Sequence, residues 1–269
     1  MRLIKISLCL LPVLLLANFI ANDMKNNTVL ICYGKLKAET IKGYGYVILE
    51  SKHYLPSNIR VIKSQNEKVF AYISLGEVNE NADHYKELKS STLGKNKIWN
   101  SYYLDLRSAN TNKVLMAMID EIFKKGYDGL FLDNIDNFTT HGPQKDQKPE
   151  LLALLKQINQ KYANKLFIQN AGLDVAADTA TMVDAIAIES VATAYDFKTK
   201  KYQLKEKAAF ETLLGRVKSV NQATKIPVIL IEYSDSAALN KQVLERIQDT
   251  QFDYFIGNID LQTLPKFKE

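Results

Sequence analysis

The stretch Gly126-Tyr127-Asp128-Gly129-Leu130-Phe131-Leu132-Asp133-Asn134-Ile135-Asp136 decides how the rest of this chain is read. Its centre is a short, nearly continuous apolar run closed by a carboxylate. That pattern fits a strand covered on both faces, as in a parallel sheet. On its amino side Val114, Leu115, Met118, Ile119, Ile122 and Phe123 recur at spacings of three and four. This predicts an amphipathic helix, started by a cap at Asn110 or Thr111 and stopped at Gly126.

Working outward, seven similar runs occupy residues 29–33, 44–49, 69–75, 166–169, 185–189, 228–233 and 254–258. Helical patterns lie between several of them: Leu151, Leu155, Ile158 and Tyr162; Phe210, Leu213, Leu214 and Val217; Leu239, Val243 and Ile247. Alternating strands and helices imply a parallel sheet with right-handed crossovers. Eight units in 269 residues match an α/β fold of one closed (β/α)8 TIM-type barrel, which takes about 250 residues. An open doubly wound sheet would carry a glycine-rich phosphate turn after its first strand. Here that turn is Gly34-Lys35-Leu36-Lys37. The expected barrel is irregular at its ends: little chain separates the first two strands, and the tail after the eighth is too short for a full helix.

The barrel is expected to occupy residues 22–269. Before it, Arg2 and Lys5 precede an apolar segment at residues 6–21, followed by Asn22-Asp23-Met24-Lys25-Asn26-Asn27. A basic start, an apolar centre and a polar exit predict a signal peptide and a secreted or periplasmic protein. An uncleaved leader would instead be a membrane anchor, the one membrane association expected. Loss of Cys9 with the leader would leave Cys32 without an intrachain disulfide partner, as a small core residue. The net charge of +5 comes from lysines scattered over helical faces. With no dense basic patch, nucleic acid is not expected as a partner.

In such a barrel chemistry gathers where the strands end, so the residues closing the runs matter most. The third run ends Ser74-Leu75-Gly76-Glu77, the fourth Leu132-Asp133-Asn134-Ile135-Asp136 and the fifth Gln169-Asn170. The sixth ends Ile188-Glu189-Ser190, the seventh Glu232-Tyr233 and the eighth Asn258-Ile259-Asp260. Carboxylates and amides converge on one rim. Two carboxyl groups across a sugar are what glycoside hydrolysis requires, one to protonate the leaving oxygen and one to attack or to activate water. Asp136 and Asp260 could also cap the following helices. The three histidines have no metal-ligand spacing, no lysine closes a central strand, and no Gly-x-Ser-x-Gly elbow occurs. Metallohydrolase, Schiff-base and serine-hydrolase readings lose support.

Several strings then carry a resemblance: Ala71-Tyr72-Ile73-Ser74-Leu75-Gly76-Glu77, Tyr103-Leu104-Asp105-Leu106-Arg107, the stretch ending in Asp136, Gln169-Asn170-Ala171-Gly172, and Ile188-Glu189-Ser190. In this order the chain resembles glycoside hydrolase family 114, the endo-α-1,4-polygalactosaminidase-like barrels. The resemblance implies hydrolysis of α-1,4-linked galactosamine and N-acetylgalactosamine exopolysaccharide without a cofactor or metal. It also implies catalysis by Asp133 and Glu189, with Tyr72, Glu77, Asp136, Asn170 and Tyr233 around the sugar. Tyr195, Tyr233 and Trp99 are candidates for sugar stacking.

Asn134 and Asp136 give Asp133 a polar setting suited to an ionised nucleophile. The apolar run before Glu189 suits a proton donor of raised pKa. The reverse assignment is the alternative, and Glu232 is a rival for one of the roles and a candidate substrate contact. Two further readings stand beside hydrolysis: a non-catalytic carbohydrate-binding barrel of the cell envelope, and a partner-binding envelope protein.

Overall fold

The computed structural model describes residues 29–268. The expected leader lies outside the described residues. Eight parallel strands form one sheet: β1 (Val29–Cys32), β2 (Tyr46–Leu49), β3 (Lys68–Ser74), β7 (Gly129–Asp133), β8 (Leu166–Asn170), β9 (Ala185–Glu189), β12 (Val228–Tyr233) and β13 (Asp253–Gly257). They coincide with the eight apolar runs. The missing numbers belong to hairpins inserted on the rim: β4 (Glu77–Asn79), β5 (Thr92–Asn96) and β6 (Ser101–Leu104) after β3, and β10 (Thr193–Asp196) with β11 (Lys201–Leu204) after β9. Sequence reasoning did not anticipate either hairpin.

The reason for the apolar runs is visible in their burial. All four residues of β1 and all six of β12 are buried. Each is covered on one side by the barrel interior and on the other by the helix layer. Every Val, Leu or Ile so enclosed contributes roughly 1.5–3 kcal/mol relative to exposure. Cys32 is likewise buried.

The long helices are α3 (Ala109–Lys124), α4 (Lys148–Lys161), α6 (Lys207–Thr224) and α7 (Ala237–Ile247); α1 (Pro56–Lys63) is shorter, and α2 (Tyr85–Leu88) and α5 (Ala176–Thr179) are single turns. One cap differs from expectation. The helix α3 starts two residues before the earlier of the expected caps, with Ser108 in the cap position. Asn110 turns its amide out to the carbonyl of Glu87, 2.7 Å away, and Thr111 is buried inside the first turn. The stop at Gly126 holds, because that residue takes a left-handed φ of 101° which glycine adopts without a side-chain clash.

The sheet closes between its edge strands. Just past β1 the Tyr33 amide donates to the carbonyl of Leu261 at 2.6 Å. Gly34 makes this approach feasible, since a Cβ there would lie 1.9 Å from the carbonyl oxygen of Gln262. As expected, only a short helical turn (Ala38–Thr40) joins β1 to β2, and among the described residues no helix follows β13. The tail instead pairs back, with Ala237 donating to the Lys268 carbonyl at 2.8 Å.

Strand register then selects which side chains share the mouth. Ser74 pairs with Asp133, Leu132 with Gln169, Asn170 with Ala187, and Ile231 with Glu189. Paired residues face the same way and faces alternate along a strand. Tyr72, Asp133, Asn170, Glu189 and Tyr233 therefore all point to one side, at one end of the barrel.

Candidate active site

These five side chains form a continuous hydrogen-bonded chain. The Tyr72 hydroxyl donates to Asp133 Oδ2 at 2.7 Å. Asn170 Nδ2 donates to Asp133 Oδ1 at 2.8 Å and to Glu189 Oε1 at 2.7 Å. The Tyr233 hydroxyl donates to Glu189 Oε2 at 2.5 Å. Each carboxylate thus has its own phenol, and one amide nitrogen bridges the pair. That shared nitrogen confines Asp133 Oδ1 and Glu189 Oε1 to within about 5.5 Å of each other, the upper limit set by its two hydrogen bonds.

The chain turns sharply beyond each of the three central strands. Asn134, Ala171 and Ser190 directly follow Asp133, Asn170 and Glu189, and each has a left-handed φ, of 64°, 60° and 55°. Non-glycine residues rarely adopt this conformation. It ends the ladder at the strand's last residue and leaves that residue's side chain at the open mouth.

The electrostatics separate the two carboxyl groups. Solvent reaches Glu189 through the open cleft, yet protein surrounds its carboxyl closely. This burial raises its proton affinity, Asn170 and Tyr233 oppose the rise by hydrogen bonding, and the charges of Asp133 and Asp136 add to it. Asp136 is also raised, by burial first and then by Asp133. Tyr72 and Tyr233 are held neutral far above the ordinary phenol range by burial and by the carboxylates they face. They therefore act as hydrogen-bond donors.

The cleft has a volume of about 470 Å³ and is lined by Asp133, Asp136, Asn170 and Glu189, with Trp99 on one wall. Arg216 and Asp174 close another part of it, paired at 2.7 Å. Among the described residues, no His, Cys, Asp and Glu side chains are grouped to hold a metal ion.

Three residues expected around the sugar sit elsewhere. Glu232 is fully buried and faces away from the cleft. Its carboxylate accepts from the amides of Ala192 and Thr193 at 2.8 and 2.9 Å and from the Thr193 hydroxyl at 2.5 Å. It pins the loop after β9, and neither the catalytic rivalry nor the substrate contact fits that position. Alternation along β12 is the reason: with Tyr233 turned to Glu189, its neighbour must point the other way. Glu77 is nearly buried beneath the rim, accepting from Asn96, Ser101 and Asn137. It ties the first hairpin to the turn that carries Asp136. Tyr195 packs between Phe197 and Tyr202 in the second hairpin and does not line the cleft.

One residue at the centre was missed. Tyr33 packs against Tyr72 with ring centroids 4.5 Å apart, and Asp133 and Glu189 add to the burial that keeps its phenol neutral. It closes the first apolar run, so the strand-end criterion applied to that run would have found it. Arg216 comes from the helix α6, where no strand-end signal exists.

The fold and the site define a class: a (β/α)8 barrel with an open cleft and two carboxyl groups bridged at its strand ends. Residues 40–267 match glycoside hydrolase family GH114, and the chain belongs to this family; it is a glycoside hydrolase. Solved structures share the fold. The glycoside hydrolase domain of PelA from Pseudomonas aeruginosa superposes with a TM-score of 0.78 at 24% identity, covering 90% of this chain and 98% of that one. Aspergillus fumigatus Ega3, solved in complex with galactosamine, gives 0.70 at 17% identity, covering 89% and 93%. A functionally uncharacterised protein of Deinococcus radiodurans is 23% identical over 254 residues, spanning 83% of this chain and 80% of its own length.

Proposed function

We propose that this protein cleaves α-1,4-linked galactosamine-containing polysaccharide with retention of anomeric configuration, Asp133 acting as nucleophile and Glu189 as acid and then base. The observation that carries the reading is the Asn170 bridge. An inverting enzyme needs roughly 6.5–9.5 Å between its carboxyl groups to seat a water, and one amide nitrogen bonded to both leaves less than that. In the first step an Asp133 oxygen bonds to the anomeric carbon as the glycosidic bond breaks, and the Glu189 proton goes to the leaving oxygen. In the second, Glu189 takes a proton from water, whose oxygen displaces Asp133 and frees the sugar. The raised proton affinity of Glu189 suits the acid. Two donated hydrogen bonds, from Tyr72 and Asn170, stabilise the charge returning to Asp133 as it leaves.

The amino sugar is supported by charge. Four carboxyl groups line the cleft; Glu189 carries the proton for the leaving oxygen and Asp174 is paired with the one guanidinium there, which leaves Asp133 and Asp136 as unpaired anions. Asp136 has no cationic partner among the described residues and is available to a protonated amine. Family membership and the galactosamine seen with Ega3 point the same way. The leader pattern before the barrel supports export to where such polymers lie.

The test is incubation of the protein with an α-1,4-galactosaminan. Fragments are identified by mass and the first-formed anomer is followed by NMR. The expected outcome is oligosaccharide release with the α-anomer appearing first, and a loss of roughly a thousandfold or more in kcat for Asp133→Asn. A β-anomer first would overturn retention. Unchanged turnover in Asp133→Asn would overturn the assignment of the nucleophile.

A further inference from the structure

The two rim hairpins are built alike although they are inserted at different points of the barrel. Each has a four-residue turn opened by an Asx side chain. Asn96 Oδ1 accepts from the Ile98 amide at 3.1 Å, and Asp196 Oδ1 from the amides of Lys198 and Thr199 at 2.8 and 3.1 Å. Each turn ends on a left-handed residue, Asn100 or Lys200, with φ of 53° and 55°. Each carries an aromatic side chain, Trp99 or Phe197, and these meet edge to face with ring centroids 5.4 Å apart and planes at 89°. The contact links the hairpin after β3 to the hairpin after β9, on either side of the arc that carries Asp133, Asn170 and Glu189.

This pair is not a buried core contact. Trp99 is 54% exposed and Phe197 51%. Among the described residues, Leu93 and Ile98 on the first hairpin and Leu55 elsewhere complete the set of exposed large hydrophobic side chains. Four of these five thus gather on the two hairpins, which marks a surface used for contact rather than scattered apolar exposure. Trp99 also lines the cleft that holds both carboxyl groups. The second tip is braced: Tyr195 packs on Phe197 at 5.0 Å and on Tyr202 at 4.7 Å, and the Tyr202 hydroxyl accepts from the Ile259 amide at 3.1 Å.

We propose that Trp99 and Phe197 form an aromatic clasp over the cleft that holds the glycan chain by stacking on sugar rings beyond the scissile bond, making productive binding of long substrate depend on both tips. This rests on the hydrolase reading above and adds specificity-determining residues that neither the strand ends nor the carboxylate chemistry supplies. Sugar rings present apolar C–H faces that suit aromatic surfaces, while their edges hydrogen-bond to polar neighbours. The clasp belongs to polymer recognition and leaves the bond-making groups untouched. Its loss therefore raises KM for polymer and spares a small substrate.

Trp99 is the only tryptophan in the chain, so intrinsic tryptophan fluorescence reports from the clasp itself. The test titrates wild type and Phe197→Ala with galactosamine oligosaccharides of increasing length. Kinetics on polymer and on an aryl α-galactosaminide are measured alongside. The expected result is a saturable spectral shift with oligosaccharides in wild type, and affinity about tenfold weaker in Phe197→Ala, the loss of one good aromatic contact. KM for polymer should rise to match, while kcat/KM for the aryl glycoside stays within about twofold. An unshifted spectrum at saturating oligosaccharide that the protein does hydrolyse would overturn the clasp and leave the hydrolase standing. A shift without product would keep the clasp and remove the hydrolase, and neither shift nor product would remove both. A shift produced by phosphatidylglycerol–phosphatidylcholine vesicles and not by sugar would reassign the tips to a membrane surface.

Discussion

Glu189 and Glu232 are both glutamates at the ends of neighbouring strands, and their surroundings give them opposite tasks. Glu189 has two donors and open solvent; Glu232 has three donors and none. Removing Glu232 with alanine leaves buried amides of Ala192 and Thr193 without acceptors, which should cost about 3 kcal/mol. Thermal melting should show that loss in Glu232→Ala and only a small change in Glu189→Gln. Equal melting temperatures would contradict the structural role. The acid role has its own signature. Tyr233 donates to Glu189 and so favours its ionised form, lowering a pKa that burial raises. Tyr233→Phe removes that donor, so the pKa rises further. Activity requires the protonated acid, and the alkaline limb of the pH–kcat/KM profile should therefore move to higher pH. A limb moving to lower pH would assign that titration to another group.

At the scale of the element, the feature that shapes the site is the left-handed residue after each of β7, β8 and β9. Asn tolerates this conformation through its short polar side chain, whereas Ala171 and Ser190 have no such adaptation. Strain of this kind persists at a site when the surroundings over-determine it. Ala171→Gly should relieve about 1 kcal/mol of it. The expected outcome is an unchanged or higher melting temperature with weaker activity, as the Asn170 bridge becomes less firmly placed. A fall in stability would mean that the alanine methyl packs to a benefit larger than the strain.

Over the whole molecule, the barrel depends on closure at the seam beside β1. Eight buried strands supply the apolar burial, but the two edges must still come within hydrogen-bonding distance. Gly34→Ala would place a methyl group against the Gln262 carbonyl, and backbone has to shift to admit it. A loss of about 1–3 kcal/mol is expected, with faster amide exchange at Tyr33, whose hydrogen bond to Leu261 spans the seam. Protection at Tyr33 equal to that of wild type would show that the seam tolerates the change. Because Tyr33 also packs on Tyr72, which holds Asp133, loosening the seam should lower kcat as well.

The amino-acid sequence alone determined the strands, their parallel arrangement and the carboxylates at their ends. Each of these follows from local periodicity and from what buried strands must exclude. The hairpins escaped such reading because they are short, half-exposed and lack a continuous apolar run. The separation of Glu189 from Glu232 was partly legible, since neighbours on a strand cannot share a face, but which of the two faces the cleft depends on register. Only the tertiary structure joined Asp133 to Glu189 through one amide, turned Glu232 inward and brought Trp99 against Phe197. Those outcomes depend on pairings between residues dozens of positions apart, and no local pattern encodes the distance between two strand ends.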